Sequence, residues 1–572
     1  MAQADGKPVG PLSVIHGPPL DEEQGLGALT MSGWLAEICA AGGEGEALVF
    51  HENGTRVSWS YAELWAKANA VARALLACGT GKGTRVGVLM TNRPEFLAAT
   101  FGAALAGAVA TTLNTFSTQA ELAHLLKASG VSVLLMERKV LKKDFAAMLG
   151  AIEPGIARAG ERPLRASGLP FLRHVAAVGA DAADGLSEGP IEDWDAFLQR
   201  GANIDPALVE AAAASVTPAD TGVLFFSSGS TAMPKGILSS HRAVALQLWR
   251  WPRFYATGKD TRTWSANGFF FSGNFGMAIG GALSAGGTLV LQSTFQAPEA
   301  LELMAREKAT MALAWPHQWA QLAAAPNFAE VDLSAMKYVS ASHAFGQHPS
   351  ITSDWDEPMS AYGNTETFTI SAIYPSGTPL EERAGSSGVP QPGMTFKIVD
   401  PLGGETVPLG ERGEIAVKGP TLMMGYLGIP LDETLDDEGF FRTGDGGRVD
   451  KAGRLFWEGR LNDIIKTGGA NVSPLEIDAV IRQCPGVRVS QTVGVPHDTL
   501  GELVVTAVVA QEGAQLSEEA VRSFARETLA SYKVPRRVLF FCEDELKTTG
   551  SAKIKTADLR VLAAKRLERE TA

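Results

Sequence analysis

Cysteine and positive charge are both scarce in this sequence of 572 residues. The cysteines, Cys39, Cys78, Cys484 and Cys542, are scattered without a C-x-x-C spacing, which indicates neither a disulfide framework nor a zinc site. We therefore expect reduced thiols and a cytoplasmic location. The formal net charge of −13 argues against a dedicated nucleic-acid-binding protein, although local basic pockets for phosphates remain compatible with it.

Targeting signals and long apolar segments are also missing. Residues 1–25 are polar and rich in proline and glycine, without the charged-then-apolar order of a signal peptide. Residues 96–113 are uncharged over 18 positions, but most of them are alanine, glycine and threonine, which have weak transfer energies into a bilayer. We interpret this run as a buried helix and predict no membrane span.

The first two-thirds of the chain shows alternating helical and strand patterns. Apolar residues fall on one helical face over 60–77. Short apolar runs predict buried strands at 86–90, 131–136, 222–226, 288–291 and 337–339. Because such strands alternate with helices, we predict an α/β fold with a parallel sheet. Residues 154–216, rich in alanine, glycine and proline, are interpreted as a variable surface segment.

The rest of the chain has a different composition. Glycine and proline become frequent from Gly385, and short strands at 395–399 and 413–417 predict an antiparallel β unit. From about residue 461 the pattern predicts a small α+β lobe. Its predicted helices are 477–483 and 518–529, and its predicted strands are 490–495, 503–510 and 537–541.

A loop of small residues follows the predicted strand at 222–226. It reads S-S-G-S-T-A-M-P-K-G over residues 227–236. Backbone N–H groups and hydroxyls of such a loop can donate to phosphate oxygens, and a lysine supplies positive charge. Lysine precedes glycine here, so the Walker pattern is absent. The candidate phosphate-binding residues are Ser227, Ser228, Gly229, Ser230, Thr231 and Lys235.

This loop resembles the signature of the acyl-adenylate-forming superfamily, and further motifs of that family follow in its order. They are Y-G-N-T-E at 362–366, G-E-I at 413–415 with G-Y at 425–426, T-G-D at 443–445 and the long motif that starts with G-R at 459–460. The resemblance, to the acyl-CoA ligase branch, extends from about residue 57 to residue 560. It implies a two-lobed α/β fold with an N-terminal lobe of residues 1–460, which includes a β subdomain, and a small mobile C-terminal lobe of residues 461–572.

The resemblance also implies roles in adenylation, in which a carboxylate attacks the α-phosphate of ATP. Tyr362 would stack on adenine, Thr365 would contact the α-phosphate, and Glu366 would hold Mg²⁺ as a hard oxygen ligand. Asp445 would accept hydrogen bonds from the ribose hydroxyls, and Arg460 would bind ribose or phosphate.

Lys553 lies where the family has its adenylation lysine and would bridge the substrate carboxylate and the α-phosphate. Without the resemblance, the lysines nearby in the sequence would indicate that Lys553 is a solvated residue of a basic tail. The family's usual glycines are replaced by Ala232 in the phosphate loop and by Ala552 before this lysine. A Cβ restricts the backbone and crowds a phosphate, which motivates the hypothesis that adenylation is impaired.

In the same family, the small lobe rotates between one position for adenylation and another for thioester formation. Asn462 occupies the hinge position, and the swing would replace Lys553 with the loop of residues 466–471. Lys466 would then act in catalysis, and Gly468 and Gly469 would line a narrow pantetheine tunnel. Residues 532–537, which read Y-K-V-P-R-R, are predicted to contact CoA phosphates.

The acyl pocket is predicted to be large and apolar. Members of the family that act on amino acids have an aspartate in this segment, which pairs with the substrate ammonium; residues 269–276 contain no aspartate, so the resemblance disfavours an α-amino acid substrate. The candidate lining residues are Trp251, Phe271 and Phe275, and the alternative for these aromatic residues is ordinary core packing.

We therefore predict an AMP-forming ligase that converts a bulky hydrophobic carboxylic acid into its CoA thioester, with ATP, Mg²⁺ and CoA. The chain also resembles the acyl-CoA ligases of bacterial diterpenoid-antibiotic pathways. Three alternatives stay open: a ligase that accepts only a preformed acyl-adenylate from a partner enzyme, acyl loading of a carrier protein, and a non-catalytic binding protein. We expect the protein to be a monomer or a homodimer. We expect no nucleic-acid partner.

Overall fold

The computed structural model describes residues 11–158, 163–179, 190–227, 234–358, 360–383, 385–461, 465–472, 474–511, 513–542, 545 and 556–571. Within these residues the strands are β1 (Val14–His16), β2 (Glu46–Glu52), β3 (Thr55–Ser60), β4 (Arg85–Leu89), β5 (Val109–Thr112), β6 (Val133–Glu137), β7 (Lys139–Val140), β8 (Lys143–Asp144), β9 (His174–Val178), β10 (Ile191–Asp193), β11 (Thr221–Ser227), β12 (Lys235–Ser240), β13 (Arg262–Ser265), β14 (Thr288–Leu291), β15 (Met311–Leu313), β16 (Ala361–Tyr362), β17 (Ala372–Ile373), β18 (Val389–Pro390), β19 (Thr395–Val399), β20 (Gly413–Lys418), β21 (Gly425–Tyr426), β22 (Phe441–Val449), β23 (Leu455–Arg460), β24 (Ile465–Thr467), β25 (Ala470–Val472), β26 (Val487–His497), β27 (Gly501–Ala510) and β28 (Arg537–Phe540).

The helices of the same described ranges are α1 (Met31–Gly42), α2 (Tyr61–Ala77), α3 (Pro94–Leu105), α4 (Gln119–Ser129), α5 (Phe145–Ile152), α6 (Pro154–Arg158), α7 (Trp194–Gln199), α8 (Pro206–Ala214), α9 (His241–Tyr255), α10 (Ser272–Asn274), α11 (Gly281–Leu283), α12 (Ala297–Arg306), α13 (Pro316–Ala323), α14 (Leu380–Arg383), α15 (Pro474–Ile481), α16 (Glu518–Thr528) and α17 (Thr556–Thr571). A π-helical turn, Phe275–Gly280, joins α10 to α11.

Two largely parallel sheets lie in the large lobe. Over the described residues, the first has the order β10-β9-β6-β4-β5-β11-β12-β21 and is parallel from β10 to β11. The second has the order β15-β13-β14-β2-β3, and only its β2–β3 pair is antiparallel. These sheets confirm the α/β prediction.

Helices α2 and α3 pack together in the main core, which joins α1, α9 and strands of both sheets. The predicted helix at 60–77 is confirmed as α2. Its first turn is closed by a capping box, in which Ser60 Oγ accepts from Glu63 N at 3.1 Å and Glu63 Oε2 accepts from Ser60 N at 2.8 Å. Gly102 on α3 permits the close contact, because an added Cβ would lie 2.7 Å from Val71.

Three details of the sequence interpretation need correction. The uncharged run 96–113 is not one helix, because α3 ends at Leu105 and β5 follows at Val109. Residues 337–339 form a single bridge between Tyr338 and Met311 instead of a strand. Residues 154–216 are more than a surface segment, since β9 and β10 lie in the first sheet. No helix among the described residues is long and apolar enough to cross a membrane.

The predicted antiparallel unit is confirmed as a sheet of order β1-β19-β20-β22-β23 in the described part of the chain. Its first strand was not predicted, because β1 comes from the N-terminal segment and pairs Val14 with Lys397. Only three residues of β1 pair, which is too short a pattern to recognise in a polar segment.

Strands β24–β28 and helices α15–α17 form the small lobe. Strands β26 and β27 are long antiparallel neighbours, and β28 pairs with β27 in parallel. The predicted α+β character of this lobe is therefore confirmed. The boundary between residues 460 and 461 stays a prediction.

Candidate functional site

A cavity of about 230 Å³ lies at the carboxyl ends of β5 and β11, where it is enclosed by both lobes. Ligands of α/β proteins bind at this edge of parallel strands. The large lobe contributes Thr112, Asn114, Ser117, Glu121, Leu125, Phe226, Pro234, Phe270, Phe271, Ser272, Gly273, Asn274, Met277, Trp315 and Thr365. The small lobe contributes Gly469, Ala470, Ala530, Tyr532 and Lys533.

The two ends of the predicted phosphate loop meet at this cavity. Strands β11 and β12 are antiparallel and pair Ser227 with Lys235, so the loop between them starts and ends at one place. The Lys235 ammonium lies 4.9 Å from the centroid of the Tyr426 ring. The other predicted loop residues, Ser228, Gly229, Ser230 and Thr231, and also Ala232, lie outside the described residues.

Thr365 and Glu366 lie on a 3₁₀ turn that is held by Asn364. The Asn364 side-chain oxygen accepts from the Thr367 N–H at 2.9 Å, which fixes the turn. Thr365 lines the cavity. The Glu366 Oε1 atom accepts from the Tyr426 hydroxyl at 2.8 Å. The described residues contain no cluster of three or more metal-ligating side chains, and a single carboxylate fits Mg²⁺, which keeps waters and substrate phosphates as its other ligands.

Asp445 is buried, with 3% exposure, and its two oxygens have different partners. Oδ2 accepts from the Tyr362 hydroxyl at 2.8 Å, and Oδ1 accepts from the Trp457 indole N–H at 3.2 Å. The Arg460 backbone pairs with Asp445 across β22 and β23. The structure thus brings three predicted nucleotide-binding residues together. It adds Trp457, which the sequence interpretation missed because no motif letter falls on it.

The loop after β24 inserts between the lobes. The Lys466 ammonium lies 3.2 Å from the centroid of the Trp457 ring. An added Cβ would lie 2.9 Å from His317 Nδ1 at Gly468 and 2.6 Å from the Trp315 ring at Gly469. Both glycines have positive φ, +56° and +82°, so only glycine meets both the conformation and the contact.

Phe271 is the only one of the three predicted acyl-pocket residues among the described lining residues, and its ring lies 5.5 Å from that of Trp315. Trp251 and Phe275 lie instead in the main core. Helix α9 packs so closely on the π-helical turn that an added Cβ at Gly276 would lie 3.0 Å from Trp251 Nε1. The side chains of Trp251 and Phe275 are therefore used in helix packing and do not line the cavity.

Lys553, Ala552 and Asn462 lie outside the described residues.

The predicted phosphate contacts of residues 532–537 need correction. Lys533 is buried between Glu121 and Glu476, and Arg537 pairs with Glu518 and Glu570. Burial raises the pKa of Tyr532 to about 12, so its phenol is neutral at neutral pH. In this segment Arg536 is the exposed cation.

His317, beside Gly468, has a lowered pKa. Burial lowers the pKa of its imidazole, and the charge of Arg536 lowers it further, so the imidazole is neutral at neutral pH.

Family models match most of the chain. A model described as AMP-binding enzyme matches residues 35–427, and one described as AMP-binding enzyme C-terminal domain matches residues 476–553. Two similar proteins are a methyl-dioxo-octahydro-indenyl propanoyl:CoA ligase of Mycobacterium tuberculosis and a feruloyl-CoA synthase of Amycolatopsis sp. The first is 31% identical, and the alignment covers 86% of this chain and 91% of the relative. The second is 30% identical, with coverages of 90% and 95%.

Solved structures of similar fold also cover most of the chain. The amide bond synthetase McbA of Marinactinospora thermotolerans is 25% identical with a TM-score of 0.70, and the match covers 92% of this chain and 99% of that one. The anthranilate CoA ligase AuaEII, solved with anthranoyl-AMP, is 25% identical with a TM-score of 0.63, and the coverages are 94% and 98%.

Proposed function

The chain belongs to the family of AMP-binding enzymes and is an AMP-forming acyl-CoA ligase, and from this premise we propose that it acts on a bulky hydrophobic carboxylic acid. The observation that carries the proposal is the cavity between the lobes. The apolar part of its large-lobe wall includes Phe226, Phe270, Phe271, Met277 and Trp315. Such a cluster of aromatic and aliphatic side chains suits an aromatic or polycyclic acid, and such acids are named for two of the relatives.

In the first half-reaction, a carboxylate oxygen attacks the α-phosphorus of ATP, and the bond to pyrophosphate breaks. The loop of residues 227–236, Thr365 and Lys553 would bind the phosphates, Tyr362 would stack on adenine, and Asp445 with Arg460 would hold the ribose. Mg²⁺ on Glu366 would neutralise charge on the phosphates. Tyr426 supports the role of Glu366, because its hydroxyl holds one carboxylate oxygen and leaves the other for a ligand.

In the second half-reaction, the CoA sulfur attacks the acyl carbon, the bond to AMP breaks, and the thiol proton leaves. The position of the small-lobe loop supports this step. Gly469 contacts Trp315 at the cavity wall, so the backbone of residues 468–470 would line the path of the pantetheine arm. Lys466 would act from the same loop, and Asn462 would be the hinge that moves it.

A second candidate function is a ligase that performs only thioester formation. Two observations favour it: Ala232 and Ala552 stand where the resemblance expects glycines in the adenylation motifs, whereas Gly468 and Gly469 are present in the predicted thioester loop and have positive φ. A partner enzyme would then supply the acyl-adenylate.

A split assay on the purified protein tests both candidates. One arm supplies aromatic and polycyclic acids with ATP and Mg²⁺ and measures pyrophosphate; the other supplies a synthetic acyl-adenylate with CoA and measures the thioester. We expect activity in both arms, and K553A should reduce pyrophosphate release at least a hundredfold while K547A, a lysine nearby in the sequence, changes neither arm.

The outcomes separate the alternatives. Activity in the second arm alone would establish thioester formation without adenylation. A thioester with holo-carrier protein but not with CoA would establish carrier loading. Binding without product in every arm would contradict the proposed function, and preference for acetate over the bulky acids would contradict the substrate class.

A further inference from the structure

Glu121 on α4 divides its carboxylate between two lobes. Its Oε2 atom accepts from the Thr118 N–H at 2.8 Å, and Thr118 Oγ1 accepts from the Glu121 N–H at 3.3 Å, which closes the capping box of α4. Its Oε1 atom accepts from the Ala530 N–H at 3.3 Å and from the Lys533 ammonium at 3.2 Å, and both donors belong to the small lobe. One side chain therefore caps the N-terminus of a helix of the large lobe and also binds the small lobe.

Lys533 completes a buried triad with Glu121 and Glu476. Its Nζ atom donates to Glu476 Oε1 at 2.7 Å, and the side chains of Glu121, Lys533 and Glu476 are 7%, 2% and 3% exposed. Burial lowers the pKa of Lys533, but Tyr532 and the two carboxylates raise it above its ordinary value. Lys533 and Glu476 belong to the small lobe and Glu121 to the large lobe, so the complete triad forms only when the lobes dock in this arrangement.

Other contacts of α4 lie beside the triad. The Thr118 hydroxyl donates to the Thr528 carbonyl at 2.9 Å, at the end of α16. One turn along α4, His124 Nε2 lies 3.3 Å from the carbonyl of Pro234, near the end of the phosphate loop. Helix α4 thus contacts the small lobe at its first turn and the end of the phosphate loop at its second.

We propose that Glu121 is a positioning residue for thioester formation, which holds the small lobe, through Ala530 and Lys533, where Gly469 faces the cavity. This inference rests on the proposed two-step function. Glu121 is not needed for the adenylation arrangement, in which the small lobe would turn to present Lys553. Its loss should therefore affect the two half-reactions unequally.

The test compares E121Q with E63Q in the full-length protein. Both glutamates close a capping box, but Glu63 is exposed on α2 and away from the small lobe, so E63Q controls for loss of a helix cap. We expect E121Q to slow thioester formation from acyl-adenylate and CoA at least tenfold. Pyrophosphate release from acid and ATP should fall by a smaller factor than thioester formation, because Glu121 also lines the cavity, and E63Q should change neither rate.

Hydrogen exchange supplies a readout that does not depend on activity. The Ala530 amide should exchange at least tenfold faster in E121Q than in the parent protein, and at the parent rate in E63Q. An equal fall in both half-reactions, or unchanged exchange at Ala530, would overturn the inference. Absence of thioester formation in the parent protein would count against the proposed function alone, because the exchange comparison still reports docking. If E121Q does not fold, T118V removes the bond to Thr528 and should shift the same readouts in the same direction.

Discussion

At the scale of single residues, Asp445, the carboxylate proposed to bind ribose, is held in place by two donors. The Tyr362 hydroxyl and the Trp457 indole N–H each donate to a different oxygen, and an ionised carboxylate has about four lone-pair sites. These two donors therefore fix the plane of the carboxylate. The Lys466 ammonium over the indole ring connects this arrangement to the small lobe through a cation–π contact.

We expect W457F to weaken the binding of AMP about tenfold, because a hydrogen bond to a charged group contributes about 1.5–3 kcal/mol. Phenylalanine keeps the ring beneath Lys466 and removes only the N–H donor. Isothermal titration calorimetry with AMP measures the affinity. W59F is the matched control, since Trp59 also lies under a lysine, Lys67, at 5.7 Å. Equal affinities for W457F and the parent protein would show that Asp445 does not need the indole.

The sequence predicted Tyr362, Thr365, Glu366 and Asp445 because each is a letter of a recognisable motif. Trp457 escaped because its role depends on the register between β22 and β23, which brings it beside Asp445. Trp251 and Phe275 show the opposite error, in which the sequence predicts a site residue that the structure places in the core. Composition marks them as candidates for an acyl pocket, but the packing of α9 decides that they are core.

At the scale of elements, the turn between β24 and β25 is fitted to the large lobe by shape. Gly468 and Gly469 both have positive φ, and both would place a Cβ against an aromatic ring of the large lobe, His317 or Trp315. A turn can therefore approach the cavity only if it carries no side chain there. The sequence predicted this loop from its glycines, but the rings it contacts belong to a distant segment and had no motif to mark them.

G469A should slow thioester formation about a hundredfold, because a displacement of about 1 Å near reacting groups costs about that much in rate. The added methyl would lie 2.6 Å from the Trp315 ring, so the loop must withdraw. Thioester formation from acyl-adenylate and CoA is the measurement. The control is G453A, because Gly453 has a similar φ of +77° and open space around it. If both variants slow the reaction equally, strain and not contact is responsible.

At the scale of the whole molecule, the ion pair of Glu23 and Arg250 joins three parts of the large lobe. Glu23 follows β1, Arg250 lies on α9, and the guanidinium also donates to the Gln391 side chain at 2.7 Å and to the Pro392 carbonyl at 2.9 Å. The side chains of Arg250 and Glu23 are 0% and 1% exposed. The N-terminal segment therefore fastens the antiparallel sheet to the parallel sheets.

E23A should lower the free energy of unfolding of the large lobe by about 3–5 kcal/mol, because it leaves the Arg250 charge buried without its partner. Thermal unfolding followed by calorimetry should show the large-lobe transition at a lower temperature, with the small-lobe transition unchanged. R253A removes the half-exposed second partner of Glu23 and should cost less than about 1 kcal/mol. A smaller effect of E23A than of R253A would contradict this account.

The overall architecture was predictable because the motifs occur in family order and the apolar runs alternate with helices. The contribution of the N-terminal segment was not, since β1 has only three paired residues and its partner lies far along the chain. Local pattern identifies elements, whereas such long-range pairing depends on the assembled surface.

The pairing of β1 with β19 also sets an order of events during synthesis. His16 and Thr395 are neighbours in the sheet although 379 positions separate them. At about 5–20 residues per second on the ribosome, β1 waits roughly 20–80 s for its partner strand. By then the second parallel sheet has all its strands and the first lacks only β21, so the antiparallel sheet is expected to be the last part of the large lobe to close. An N-terminal fusion would thus delay or burden the final closing step of this lobe instead of its first.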